Sequence, residues 1–138
     1  MTKNIVVTGG TRGIGLGLAR AFLERGHRVA VCGNRTSSAE KATAELGVLA
    51  LAADVSDRNQ VQALWDAAAA EFGRVDIWIN NAGISHSRMP LWELPEAEMR
   101  AVVDVNVAGV LNGTAVALAG MAAQGSGHVW NTEPTSAG

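Results

Sequence analysis

Ile5-Val-Val-Thr8-Gly9-Gly10-Thr11-Arg12-Gly13-Ile14-Gly15-Leu16-Gly17 decides the fold. A β-branched run feeds a glycine-rich turn, and an apolar pattern of helical period follows at once. Ile14, Leu18 and Phe22 recur every fourth residue with Ala19 and Leu23 beside them, which predicts a helix over 13–25 with one apolar face, closed by Gly26. Glycines in such a turn remove the Cβ atoms that would hold a phosphate away from backbone N–H groups, and the first helical turn adds unpaired donors and a positive dipole end. The spacing Gly9-x-x-x-Gly13-x-Gly15 differs from the common Gly-x-Gly-x-x-Gly, and no Gly-Lys-Ser/Thr follows as a P-loop would need. Glycine turns also arise for steric reasons, so the flanking strand and helix carry the reading: a dinucleotide site.

The rest of the chain repeats the alternation. Arg28 to Cys32 reads as a second strand, and the polar loop Gly33-Asn34-Arg35-Thr36-Ser37-Ser38 leads to a helix around 38–46. Val48 to Ala53 makes a third strand. Asp54-Val55-Ser56-Asp57 ends it and caps a helix in which Val61, Leu64, Trp65, Ala68 and Phe72 fall at helical spacing before Gly73. A fourth strand covers 75–79. Leu94-Pro95-Glu96 starts a helix carried by Met99, Val102, Val103, Val110, Leu118 and Met121 to about residue 122, and His128 to Asn131 is a fifth strand. Strands alternating with helices of this length imply right-handed parallel crossovers, hence one doubly wound, Rossmann-type α/β domain over 1–138 with about five strands.

Composition narrows the partners. The chain has 138 residues, 48 % hydrophobic and 17 % charged, with a net charge of -2, so neither nucleic acid nor an anionic membrane is expected and small molecules are. Cys32 is the single cysteine and falls in a strand expected to be buried, which leaves no disulfide framework and no cysteine-based zinc site; no metal is expected. The N-terminus carries no signal-peptide pattern and no apolar stretch is expected to reach spanning length, so the expected location is cytoplasmic. His86 reads as an ordinary exposed histidine, and Trp65, Trp78, Trp92 and Trp130 read as core or interface anchors.

These elements and motifs together resemble the short-chain dehydrogenase/reductase family over the whole chain. Thr8-Gly9-x-x-x-Gly13-x-Gly15 matches its cofactor turn, Asp54 its adenine-side aspartate, and Asn80-Asn81-Ala82-Gly83 its motif after the fourth strand. Asn106, in Asp104-Val105-Asn106-Val107-Ala108-Gly109, matches the asparagine of its catalytic tetrad. The resemblance implies that Gly9, Thr11, Arg12, Gly13, Ile14, Gly15, Asn34, Arg35, Asp54, Val55, Asn81, Ala82 and Gly83 hold the cofactor. Each keeps an alternative in the residues themselves: Asp54 could simply cap a helix, and Asn81-Ala82-Gly83 could be an ordinary turn. Asn106 lies on the side shared by Val102 and Val110, where burial would demand partners for its amide, and it could serve structure alone.

Charge favours NADP(H) over NAD(H). No Asp or Glu stands near the end of the second strand until Glu40, whereas Arg12 and Arg35 could both pair with a 2′-phosphate. The resemblance implies hydride transfer between the nicotinamide and a small-molecule carbonyl or alcohol, with a tyrosine as general acid/base, a lysine four residues later and a serine. The chain contains no tyrosine and no lysine after Lys41. Counting from Asn131 or from Gly138 puts Pro134 or Thr135 at the serine position, and Ser136 is the nearest serine. The expectation is therefore the cofactor-binding part of an oxidoreductase, lacking the family's C-terminal strands and helices and inactive alone; the alternative is a non-catalytic NADP(H)-binding sensor or regulatory module. The 95–122 helix resembles the one through which such proteins form homo-oligomers.

Overall fold

The computed structural model describes residues 1–132. Five strands, β1 (Asn4–Thr8), β2 (Arg28–Gly33), β3 (Leu49–Ala52), β4 (Ile77–Asn80) and β5 (His128–Asn131), form one sheet in the order β3-β2-β1-β4-β5. Every pairing is parallel. The helices α1 (Gly13–Glu24), α2 (Thr36–Leu46), α3 (Arg58–Phe72), α4 (Glu96–Val103) and α5 (Gly109–Gln124) occupy the connections. Ile5 and Val7 face a core shared with Ala19 of α1 and Ala42 of α2. Val6 and Trp78 face the opposite core, shared with Leu64 and Trp65 of α3 and Val116 and Met121 of α5. The central strands are therefore apolar on both faces, as a doubly wound sheet requires.

The predicted elements are present with small shifts in their ends. α2 starts at Thr36 rather than near 38, and α3 is capped by Asp57, whose side chain accepts from the Asn59 N–H, not by Asp54. In α1 the buried residues are Gly15 and Ala19, with Phe22 and Leu23 half-buried; Ile14, expected on that face, is 74 % exposed. It sits in the first turn of α1, beside the glycine turn. Trp65 and Trp78 are core residues with ring centroids 6.0 Å apart, whereas Trp92 is exposed.

The expected helix over 95–122 is one continuous helix from Glu96 to Gln124, interrupted by a π-helical turn at Asp104–Ala108. At 29 residues, with a window of mean hydropathy 1.6, it is long and apolar enough to cross a membrane by length and composition, contrary to the expectation that no stretch would be. Valines, alanines and glycines supply that hydropathy, and they also make the packing possible. A Cβ on Gly120 would run into the Trp65 ring, and one on Gly113 would strike the Asn80 amide oxygen and come within 2.9 Å of the Trp78 indole nitrogen.

Asn80, 4 % exposed, is the buried polar hub beneath that helix. Its oxygen accepts from the Trp78 indole N–H at 2.9 Å, and its amide donates to Thr114 Oγ1 at 3.1 Å and Asn131 Oδ1 at 2.9 Å. Farther along, Gln124 exchanges two 2.9 Å bonds with the backbone N–H and C=O of Val75. Side-chain amides thus fasten α5 to β4 and the residues just before it at two points about three helical turns apart.

A Gly113→Ala substitution tests this packing. It should lower the unfolding free energy by about 1–3 kcal/mol, since the added methyl displaces Asn80 from the Trp78 indole. Thermal and urea unfolding read the effect, and an unchanged midpoint would refute the close approach.

Candidate functional site

The connections run outward from β1 through β2 to β3, then return to β4 on the other side of β1, so the strand order reverses between β1 and β4. A crevice opens beyond the carboxyl ends of strands at such a point. Here it is a cleft of about 650 Å³ lined by the glycine turn, the end of β2, Asp54, the segment after β4 and one side of the π-helical turn. Thr8, buried at the end of β1, sets its floor: the hydroxyl oxygen accepts from the backbone N–H groups of Asn81 and Ala82, each at 3.0 Å, and donates to Ile79 O at 3.4 Å. Asn81 Nδ2 reaches across to Gly9 O at 3.3 Å, while Asn81 Oδ1 accepts from Thr132 at 3.1 Å.

The turn fits a pyrophosphate on its own geometry. Gly9 and Gly13 hold left-handed backbone at φ +64° and +57°. A Cβ on Gly15 would collide with Gly9 O and Asn81 Nδ2, so α1 can lie this close to the turn only without one. Over Gly13, by contrast, there is open space. The first turn of α1 has no side-chain cap and no acidic residue, which leaves its donors and positive dipole end to an anion. Among the described residues no group of three His, Cys, Asp or Glu gathers to hold a metal ion.

The residues singled out from the sequence line this cleft, except Gly15, Arg35 and Asn106. Gly15 lies beneath the turn it supports. Arg35 is exposed and occupies the extended position before α2, away from the cleft lining. Asp54 lines the cleft with its Oδ1 held by Ser56 N at 2.9 Å and Ser56 Oγ at 2.7 Å, and its own N–H donates to Gln60 Oε1 at 2.9 Å. Ile84, the first residue of the 84–92 segment expected to contribute to a substrate pocket, lines the far end together with Ala101, Asp104 and Val105, which the sequence reading did not assign to the site. Only the proximity of Asp104-Val105 to Asn106 hinted at them. Cys32 also borders the cleft, where burial pushes its thiol up to about 11, so it stays neutral and unreactive.

Asn106 is exposed rather than buried, because the π-helical turn around it resets the helical register of the preceding valines. Its amide is nevertheless fully used: Oδ1 accepts from Ile84 N at 2.8 Å and Nδ2 donates to Ile84 O at 2.9 Å. One side chain thereby satisfies both polar groups of the residue that follows Gly83. A second tether holds the same segment, where Ser87 donates to Glu98 and lowers its carboxyl below the usual range, helped by nearby His86. His86 itself is exposed, with its Nδ1 2.8 Å from the neighbouring Ser87 carbonyl. Pro134, Thr135 and Ser136 lie outside the described residues.

Known proteins share both sequence and architecture. A model of the short chain dehydrogenase family matches residues 3–137. The chain is 40 % identical over 141 residues to a 3alpha-hydroxysteroid dehydrogenase of Mediterraneibacter gnavus, spanning 96 % of this chain and 56 % of that protein. It is 42 % identical over 131 residues to a cis-4-hydroxycyclohexanecarboxylate dehydrogenase of Sinomonas cyclohexanicum, spanning 91 % of this chain and 52 % of that one. The crystal structure of a 3-ketoacyl-(acyl-carrier-protein) reductase from Brucella melitensis complexed with NADH superimposes with a TM-score of 0.86 at 33 % identity, over 94 % of this chain and 56 % of that one. The chain thus spans about half the length of these relatives. With its glycine turn, its switch-point cleft and a match over nearly its whole length, the chain belongs to the short chain dehydrogenase family.

Proposed function

We propose that this chain is the cofactor-binding part of an NADP(H)-dependent oxidoreductase that transfers a hydride between the nicotinamide and a carbonyl or alcohol substrate. The observation that carries the reading is the switch-point cleft, in which an uncapped helix start and an open Gly13 face Asn81, Ala82 and Gly83 across a gap. NADP(H), when bound, supplies or accepts the hydride. In this reading the first-turn N–H groups of α1 hold the pyrophosphate, Asp54 accepts from the adenine amino group, and Gly83 lets backbone approach the nicotinamide ribose. Asn106 fixes the Ile84 peptide at the substrate end of the cleft. Arg12, exposed at the cleft rim, pairs with the 2′-phosphate, with Asn34 beside it. Arg35 would join them only by swinging in from outside the cleft.

The family's tyrosine and following lysine have no counterpart in these 138 residues, so the segment alone binds cofactor without turnover. That same observation favours a second reading, a non-catalytic NADP(H)-binding sensor or regulatory module. A single buried free thiol suits a reducing compartment, and the proposed location is cytoplasmic. The small-molecule substrate is a carbonyl or alcohol in either direction of the reaction.

Fluorescence titration tests the cofactor reading. NADPH should bind the chain more tightly than NADH, and Arg12→Ala should weaken NADPH binding by about tenfold while leaving NADH nearly unchanged. Equal affinities for the two nucleotides would overturn the preference. Reduction of any carbonyl by the isolated segment would overturn its inactivity.

The outer face of the Glu96–Gln124 helix carries Met99, Val103, Val107, Leu111 and Leu118, exposed between 40 % and 65 %. The first four follow one another every fourth residue, a ridge that matches a second copy of itself in antiparallel packing. We assign this face to a homo-oligomer. Sedimentation should show self-association that the double substitution Val107→Glu, Leu111→Glu abolishes; a monomer before substitution would refute it.

A further inference from the structure

Gly33 ends β2 inside the cleft lining, yet nothing about its backbone calls for glycine. Its φ is not positive, it pairs in register with Ala52, and its carbonyl accepts from Ala53 N at 2.8 Å. Space is what excludes a side chain there. A Cβ at Gly33 would meet Thr11 Oγ1 in hard overlap, Thr11 Cγ2 at 2.9 Å and Thr11 Cβ at 3.2 Å. Rotation about χ1 gives little relief, because a β-branched side chain always carries two heavy atoms on Cβ. Nor can the backbone of Thr11 retreat cheaply. Gly10 N is bonded to Cys32 O at 3.0 Å, and a Cβ on Gly10 would itself strike Val31, so the turn is already pressed onto the end of β2.

We infer that Thr11 is a specificity-determining residue: its side chain fills the space where a side chain at residue 33 would begin, and so keeps an acidic residue off the end of β2. An acid placed there takes hydrogen bonds from the two ribose hydroxyls and repels a 2′-phosphate. The Thr11–Gly33 pair therefore leaves the ribose end of the cleft open to the phosphorylated nucleotide, with Arg12 next to it. This rests on the NADP(H) reading for the direction of the preference. The steric coupling of residues 11 and 33 stands apart from that reading, and the experiment separates the two.

The test is a cycle of four proteins: the unaltered chain, Gly33→Asp, Thr11→Gly and the double substitution, each titrated with NADPH and NADH. Gly33→Asp alone should weaken both nucleotides by about tenfold or more, because the turn must shift to admit the new side chain. Adding Thr11→Gly should restore NADH binding while NADPH stays weak, so the double variant prefers NADH. A clean switch to NADH by Gly33→Asp alone, or a double variant no better for NADH than the single one, overturns the inference. Should Gly33→Asp fail to fold, Gly33→Ala gives the same answer by thermal unfolding, introduced once with Thr11 intact and once together with Thr11→Gly. Its cost should be large with the threonine present and small without it, and equal costs overturn the coupling. Equal binding of NADPH and NADH by the unaltered chain would refute the cofactor reading and leave the coupling to be judged by the cycle.

Discussion

The hydroxyl of Thr8 holds the two middle strands together at the point where they part. β1 and β4 pair through Ile5–Ile77, Val6–Trp78 and Val7–Ile79, and beyond that register the backbones diverge to opposite sides of the cleft. A backbone ladder cannot continue across diverging strands, so the N–H groups of Asn81 and Ala82 would lose their partners in a half-buried place. A threonine oxygen has two lone pairs and one hydrogen, enough to accept from both and still donate to Ile79 O. The cleft floor follows from this one saturated atom, since the glycine turn leaves β1 one residue later and the Asn81-Ala82-Gly83 segment leaves β4 against it.

The second constraint is how closely α5 can approach the sheet. Gly113 and Gly120 admit the indoles of Trp78 and Trp65, and Asn80 and Gln124 bond across the joint. Where its inner face carries glycine, the helix gains contact through the aromatic rings of its neighbours, beside its own buried Val116 and Met121. Met99, Val103, Val107, Leu111 and Leu118 fall on the outer face. The exposed ridge from Met99 to Leu118 is thus the counterpart of the glycine face, and the two belong to one packing solution.

The fold was legible because its signals are local. The β-branched run before Gly9, the glycines that stop helices and the alternation of periods identify strands, helices and their parallel order without tertiary information. The cleft lining was legible for a related reason: a switch point gathers the carboxyl ends of strands, and those ends are where the turn residues Gly9 to Gly13, Asn34, Asp54 and Asn81 to Gly83 stand. What stayed hidden depends on contacts between distant residues. Helical spacing put Ile14 on the buried face, but its side chain borders the open cleft instead. The same spacing put Asn106 among buried valines, but a π-helical turn breaks that spacing and rotated it toward Ile84. Arg35 is adjacent to Asn34 in the chain, yet it belongs to the start of α2 instead of the cleft.

Glycine shows most directly why a motif is only part of the information. Gly9 and Gly13 are needed for backbone conformation, Gly15 for the approach of a helix to a carbonyl and an amide, and Gly33 for the side chain of Thr11. In one-letter form these four are the same residue. Gly13 answers to the turn itself, and Gly9 both to the turn and to the Ala82 backbone, which a Cβ there would approach to 2.8 Å. Gly15 answers to a backbone carbonyl of the turn and to the Asn81 amide, whereas Gly33 answers to one particular side chain, so a change at residue 33 can be relieved by a change at its neighbour. A substitution at the end of β2 is for this reason a statement about residue 11 as much as about residue 33.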